Sequence, residues 1–371
     1  MESDMRKFEI FVVTAPGLEK PLAAEITEAG FKKPKMMPGG VRFRGNWQDV
    51  WRANLCLRGA VRVLARIGNF QCMHLNLLER QIGEMSWTPY LRPDVPVKVE
   101  VVTQKSKIYH AGAAKERIEK GLVAAVGVPI SDEADVVLKV RIDNNMLTFS
   151  LDTSGESLHK RGHKPAVAKA PMRENMAALF LRQMGFDGSQ TVYDPMCGSG
   201  TFVIEAAEMA AGLLPGRSRR FAFEQLASFD AGAYAELRQS GEAHSSKARF
   251  YGSDKDAGAI RMSFENADRA GVADFCSFEQ KSAGEITPPN DSPGIVIVNP
   301  PYGARLGDKK GLFALHASLG KALSAHFSGW KVGIITTDAG LAKATHLPLE
   351  APFATVAHGG LKVQLFTCEV P

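Results

Sequence analysis

Cysteine is scarce in this 371-residue chain, and its five copies (Cys56, Cys72, Cys197, Cys276, Cys368) form neither a Cys-x-x-Cys pair nor a metal-ligand spacing. That excludes a disulfide-stapled secreted scaffold and a zinc ribbon, and no metal is expected. No apolar run reaches the ~18 residues of a membrane helix, and no signal peptide opens the chain. A cytoplasmic setting and no membrane partner are therefore expected; a monomer is also expected. Repeats and low-complexity tracts are absent, and no glycine loop ends in the Gly-Lys-Ser/Thr that would indicate ATP.

Charge is present but unevenly placed. Residues 1–170 hold 26 Lys+Arg against 19 Asp+Glu, a net of +7, whereas residues 171–371 hold 19 against 21, a net of −2. A basic front half suggests a polyanion-binding module joined to a more neutral catalytic one. A solvated basic face would give the same count. The basic residues are dispersed, which favours a folded surface over a disordered tail.

The front half reads as two α+β pieces. Phe8–Thr14 is strand-like, Leu18, Leu22, Ile26 and Ala29 form a helical stripe, and Val41–Phe43, an Asn46-capped run Trp47–Leu57 and Val61–Ile67 follow. The second piece has a helix over Leu75–Met85, a strand from Val95 to Val101, a helix over Ala111–Val126, and strands Val136–Val140 and Met146–Leu151 about a turn at Asp143–Asn145.

The rear half alternates strands and helices, which implies a mainly parallel, doubly wound sheet with ligands at the carboxyl ends of its strands. Strands are expected at Thr191–Tyr193, Phe250–Asp254, Phe275–Glu279, Ile295–Val298 and Lys331–Thr336, with a closing hairpin of Pro352–His358 and Leu361–Glu369. Helices are expected over Phe202–Ala211, Asp256–Ala270 and Leu312–Phe327. After the first strand comes Asp194-Pro195-Met196-Cys197-Gly198-Ser199-Gly200-Thr201, whose two glycines permit a tight turn and close approach to a ligand. Asp254 ends the second strand, where an acid can bond ribose hydroxyls or cap the following helix. The stretch 212–249, with Arg217-Ser218-Arg219-Arg220, reads as a long insertion whose basic cluster could touch RNA or stay solvated.

Asn299-Pro300-Pro301-Tyr302 follows the fourth strand. An Asn carbonyl and a nearby main-chain carbonyl can accept both N–H bonds of an exocyclic base amine, leaving its lone pair aimed at a methyl donor. Pro300 has a fixed φ and no N–H, Pro301 holds Pro300 in extended geometry, and Tyr302 offers a stacking face. A turn after a buried strand is the plainer reading of the same residues.

Glycine loop, acidic strand end and Asn299–Tyr302 together resemble the class I S-adenosylmethionine-dependent amino-methyltransferases. The resemblance implies S-adenosyl-L-methionine held by Asp194, Pro195, Cys197, Gly198, Ser199, Gly200, Thr201, Asp254 and Lys255, with Asn299, Pro300, Pro301 and Tyr302 catalytic. Cys197 is read as a small loop residue, because methyl transfer to an amine needs no thiol nucleophile. Many class I enzymes have an Asp after the third strand that bonds adenine; here Ser282 stands there, after Gln280.

The order of the front elements is similar to a ferredoxin-like unit followed by a THUMP domain, a pairing found in RNA-modifying enzymes. The junction Leu151–Glu156, Leu158–His163 and Ala170–Glu174 resembles bacterial enzymes that methylate guanine N2 in 23S ribosomal RNA, as do Ala15–Glu19 and Gly39–Phe43. That resemblance implies Arg173 and Glu174 near the methionine moiety or the target base; His159 and His163 read as linker polarity. It also implies domains at 1–68 (ferredoxin-like), 69–155 (THUMP) and 156–371 (Rossmann-like methyltransferase), with large-subunit rRNA as partner. Some members of that family carry a second methyltransferase domain, for which this chain ends too soon. Open alternatives are transfer RNA guanine N2, adenine N6, DNA, or a non-catalytic RNA-binding protein.

Overall fold

The computed structural model describes residues 7–163, 172–239, 248–301 and 309–371, so Tyr302 and part of the 212–249 stretch lie outside the described residues. The chain forms two compact units. One comprises Met1–Val13, Glu25–Leu158 and Arg219–Ser240; the other comprises Thr14–Ala24, His159–Ser218 and Gly241–Pro371.

The first unit is built on β1 (Phe8–Val13), β2 (Lys35–Met37), β3 (Gly40–Gly45), β4 (Arg62–Gln71), β5 (Val97–Gln104), β6 (Val136–Asp143) and β7 (Met146–Asp152). All seven lie in one sheet, in the order β2-β3-β1-β4-β7-β6-β5. The pivot is β4, antiparallel to β1 with Val12 facing Val63, and to β7 with Ala65 facing Leu151. It runs four residues beyond its expected end at Ile67, because β7 supplies backbone partners as far as Gln71. The strands of residues 1–68 and 69–155 thus share one set of hydrogen bonds.

Helix α1 (Glu19–Glu28) precedes β2, α2 (Trp47–Cys56) follows β3, and α3 (Leu75–Glu84) and α4 (Ala111–Val126) flank β5. Asn46 caps α2 as its sequence suggests, its Oδ1 accepting from Asp49 N at 3.0 Å while its own N–H donates to Asp49 Oδ2 at 3.2 Å. On the buried face of α2, Trp51 sits among Phe223, Phe229 and Tyr234, with ring centroids 5.7 to 6.4 Å away. Those three rings come from the stretch read as an insertion, whose residues 219–240, including α7 (Ala231–Gln239), belong to this unit. Its basic cluster is largely consumed in structure. Arg219 donates to the carbonyls of Ser154, Glu156 and Ser157, whereas Arg220 is 91% exposed beside Glu224.

The second unit contains α5 (Glu174–Gln183), β8 (Val192–Asp194), α6 (Thr201–Ala210), β9 (Phe250–Asp254), α8 (Ala257–Ala270), β10 (Cys276–Gln280) and β11 (Ile295–Val298). It continues with α9 (Lys309–His326), β12 (Lys331–Thr336), α10 (Ala339–Lys343), β13 (Val356–His358) and β14 (Leu361–Glu369). The sheet order is β10-β9-β8-β11-β12-β14-β13, five parallel strands followed by the antiparallel hairpin. This is the expected doubly wound α/β sheet. All four residues of β11 are buried, and each such side chain stabilises the fold by about 1.5–3 kcal/mol.

Two carboxylates of α6 are buried in this unit. Arg161, 2% exposed, places Nε 3.1 Å from Glu205 Oε1, and Arg217 reaches Glu208 at 2.5 Å. His163 Nε2 lies 3.5 Å from the same Glu208 oxygen, so it is a buried partner rather than linker polarity. Burial also lowers the pKa of His163, and that of His159 to about 4, which keeps both neutral at physiological pH. Removing one member of a buried ion pair typically costs about 3–5 kcal/mol. Arg161→Ala should therefore lower unfolding stability in urea by that amount, and a loss below about 1 kcal/mol would show that the Arg161–Glu205 pair is dispensable.

Candidate active site

In the second unit the winding of the sheet reverses between β8 and β11, and the crevice at such a switch point is where open α/β sheets bind ligands. Parallel register sets the site's frame: Val296 of β11 faces Tyr193 of β8, and Asp194 faces Gly252 of β9. Asp194 and Asp254 consequently end their strands and Asn299 follows its own, all at the carboxyl ends of adjacent strands.

The loop between β8 and α6 is tied down at each turn. Asp194 is 2% exposed, and its Oδ1 accepts from Met196 N at 3.0 Å. Burial pushes the Asp194 carboxyl up to about 8, against the lowering effect of that hydrogen bond. Pro195 is buried behind it. Cys197 N donates to Ser253 O at 2.9 Å, and burial raises its thiol well above the ordinary range, so the thiol stays protonated. Gly198 (φ +56°) and Gly200 (φ +82°) take the left-handed conformation that favours glycine. A Cβ on Gly252 would lie 2.8 Å from Phe278 and 3.0 Å from Cys197, so β9 and the loop approach as closely as their atoms allow.

Asp254 braces the loop from β9. Its Oδ2 accepts from Gly198 N and its Oδ1 from Asp256 N, each at 3.0 Å. The cap of α8 is Asp256, whose carboxylate accepts from Gly258 N. Asp254 is therefore not the helix cap, and its oxygens keep lone pairs for a ligand hydroxyl. Lys255 is exposed, and its carbonyl accepts from Gln280 Nε2 at 3.1 Å. Ser282 is exposed beyond β10.

Two residues of α8 that carry the loop escaped the sequence reading. Ser263 Oγ donates to Gly198 O at 2.9 Å, and Asn266 Nδ2 donates to Ser199 O at 3.0 Å. Both are fully buried, and polar residues on the inner face of an otherwise amphipathic helix were the available signal. Thr201 opens α6 and is 5% exposed.

Buried polar atoms without partners point to ligands or water. Asn299 Oδ1 is such an atom, at the end of β11; Ser199 Oγ in the loop is another. Pro300 is buried and Pro301 exposed, while the stacking face expected of Tyr302 lies outside the described residues. Glu174 opens α5, and its charge acts on His159. Beside it Asn175, 1% exposed, carries a third unpartnered oxygen, Oδ1, which sequence pattern did not single out. The unpaired Asn299 carbonyl, the braced Asp254 and the glycine turn suit a ligand bearing hydroxyls next to a group with N–H donors.

Among the described residues no His, Cys, Asp and Glu cluster is arranged to hold a metal ion, and no helix is long and apolar enough to cross a membrane. Residues 161–358 match the family described as RMKL-like, methyltransferase domain, and residues 9–64 match the RlmL ferredoxin-like domain. The ribosomal RNA large subunit methyltransferase K/L of Vibrio campbellii is 33% identical over 89% of this chain, which spans only 49% of that protein's length. A Synechocystis protein provisionally named an RNA methyltransferase is 30% identical over 97% of this chain and 96% of its own. A provisionally named methyltransferase solved with S-adenosylhomocysteine superposes with a TM-score of 0.88 at 26% identity, covering 99% of both chains.

The raised carboxyl of Asp194 has a measurable consequence. An acid that holds its proton more tightly when folded makes stability fall as pH rises from its ordinary value of 3.8 to about 8. Asp194→Asn should remove that contribution, so the variant's melting temperature should gain on the parent's across this interval. A difference independent of pH would show that Asp194 is ionised throughout.

Proposed function

The chain belongs to the RMKL-like methyltransferase family, and from that membership we propose that it methylates the exocyclic N2 amine of a guanine in 23S ribosomal RNA. The observation that carries the chemistry is Asn299 Oδ1, a buried acceptor without a partner at the switch-point crevice. The choice of large-subunit RNA is supported by the name of the Vibrio relative, and the donor by the S-adenosylhomocysteine bound to the structural relative.

S-adenosyl-L-methionine, when bound, supplies an electrophilic methyl group on a sulfonium. The loop Asp194–Thr201 forms the cradle, its turn built from Pro195, Cys197, Gly198, Ser199 and Gly200, and Asp254 receives ribose hydroxyls beside Lys255. Glu174 borders the methionine end. Asn299 Oδ1 accepts one N–H of the target amine and a neighbouring main-chain carbonyl accepts the other, which draws the nitrogen lone pair out of conjugation with the ring. Pro300 and Pro301 stiffen this contact, and Tyr302 stacks on the base. So held, the amine nitrogen would be aligned with the donor's methyl carbon, and its surplus proton would pass to water after transfer. Orientation provides the acceleration, and the protonated Cys197 thiol takes no part.

A base in a duplex cannot reach such a pocket, so the target nucleotide leaves its stack first. The ferredoxin-like residues 1–68 and the THUMP-like residues 69–155 hold the RNA largely through phosphates and shape.

Asn299→Ala should slow transfer about a hundredfold or more, as misorientation at a reacting centre does, with donor affinity nearly intact. Lost donor binding would remove Asn299 from its catalytic role. Asp254→Ala should weaken donor binding about tenfold, the scale of a lost hydrogen bond to a charged group, and an unchanged affinity would remove the ribose contact. Nucleoside mass spectrometry of ribosomal and transfer RNA from a deletion strain tests the substrate. N2-methylguanosine should fall in 23S RNA; loss of another methylated nucleoside, or from another RNA, overturns the assignment.

A further inference from the structure

The first unit contains a cleft of about 680 Å³, between β1, β3, β4 and the chain near Tyr90. Its size falls within the roughly 300–1,000 Å³ of pockets that hold small molecules. Four cations line it, Lys7, Arg42, Arg44 and Arg66, against one carboxylate, Glu9.

These side chains are pre-positioned. Glu9 holds both Arg42 and Arg66, Arg66 also lies over the Phe11 ring at 4.7 Å, and Arg44 donates to the Lys7 carbonyl. A carboxylate shared between two guanidiniums leaves most of their N–H groups unspent, in the planar forks that match phosphate oxygens. Aromatic rings also line it: Trp47 lies 5.0 Å from Phe8 and 6.1 Å from Tyr90 between ring centroids. Phe8 and Tyr90 are half-buried and present ring surface to the cleft. Ser228 also lines it, and its Oγ is a buried hydroxyl without a hydrogen-bond partner. That orphaned hydroxyl is an observation independent of the charge and marks a place for a polar ligand edge, and exposed Asn69 also lines the cleft.

We infer that this cleft binds an unpaired RNA nucleotide, with flanking phosphates on Arg42, Arg44 and Arg66 and the base against Tyr90 and Phe8. The inference rests on the proposal that RNA is the substrate and adds where the RNA is gripped outside the methyl-transfer site. Concave aromatic and polar walls suit a splayed base, whereas a duplex keeps its bases inside and offers phosphates alone.

Fluorescence anisotropy of the full chain with a short labelled single-stranded RNA, titrated over a range of salt concentrations, tests this. The double variant Arg42→Ala/Arg44→Ala should bind at least about tenfold more weakly and lose about 1.4 from the slope of log affinity against log salt, the signature of two lost phosphate contacts. Tyr90→Leu should weaken binding about tenfold with the slope unchanged, as loss of stacking does. Arg44→Ala alone, at an exposed position, gives the phosphate effect with little risk to folding. Unchanged S-adenosylmethionine binding by calorimetry, with an unchanged melting temperature, establishes that each variant is folded. Variants that bind as the parent does, while the parent binds RNA, overturn the cleft and leave the RNA substrate standing. Duplex RNA competing as well as single strand overturns the unpaired nucleotide. A parent that binds no RNA overturns both readings.

Discussion

Two negative charges inside an apolar helix are what the second unit has to accommodate. Glu205 and Glu208 are at most 1% exposed on α6, a helix otherwise built from Thr, Phe, Val, Ile, Met and Ala. Ionised carboxylates at that depth are tolerable only when cations reach them. Arg161 and Arg217 do so from the segments that precede α5 and follow α6, and Arg269 of α8 binds the His163 carbonyl between them. Gly200 of the glycine loop immediately precedes the same helix, so these ion pairs hold the loop after β8 from behind. A greasier helix would pack as well but would not specify which polar segment lies against it.

In front, the loop is fixed by contacts that leave no room for side chains. Gly252 approaches Cys197 closely, Asp254 accepts from Gly198, and Ser263 and Asn266 tie the loop to α8. Main-chain groups of Met196, Cys197, Gly198, Ser199 and Gly200 are committed to hydrogen bonds. Against that background the buried side-chain atoms without partners, Ser199 Oγ, Asn175 Oδ1 and Asn299 Oδ1, stand out. A site so constrained presents its acceptors without first having to order them.

Much of this was legible in the sequence, and unevenly so. β9, β11, β12 and α4 fall on their expected residues because their periodicity and flanking turns are local signals. The motif residues sit at strand ends for the same reason. What was illegible is long-range. The pairing of β4 with β7 joins residues about eighty apart, and nothing near Gln71 announces that its partner is Met146. The short edge strand β2 and helix α5 carry weak patterns of their own. Arg161 reads as one more linker cation until Glu205 is brought to it, and Phe223, Phe229 and Tyr234 read as an insertion until Trp51 receives them. Charge counts could not tell Arg219, spent on three carbonyls, from Arg220, which is exposed.

The first unit's sheet also has a consequence for the order in which the chain can take shape during synthesis. β1 and β3 can pair as soon as they emerge, but β4 keeps one edge open until β7 arrives with residues 146–152. Trp51 stays uncovered until Phe223, Phe229 and Tyr234 appear some 170 residues later, after β8 and α6 have been made. At ribosomal rates of roughly 5–20 residues per second, that apolar ring waits about ten seconds or longer. The nascent chain thus displays an unsatisfied strand edge and a tryptophan together, a state suited to chaperone capture, and the two units must mature interleaved rather than one after the other.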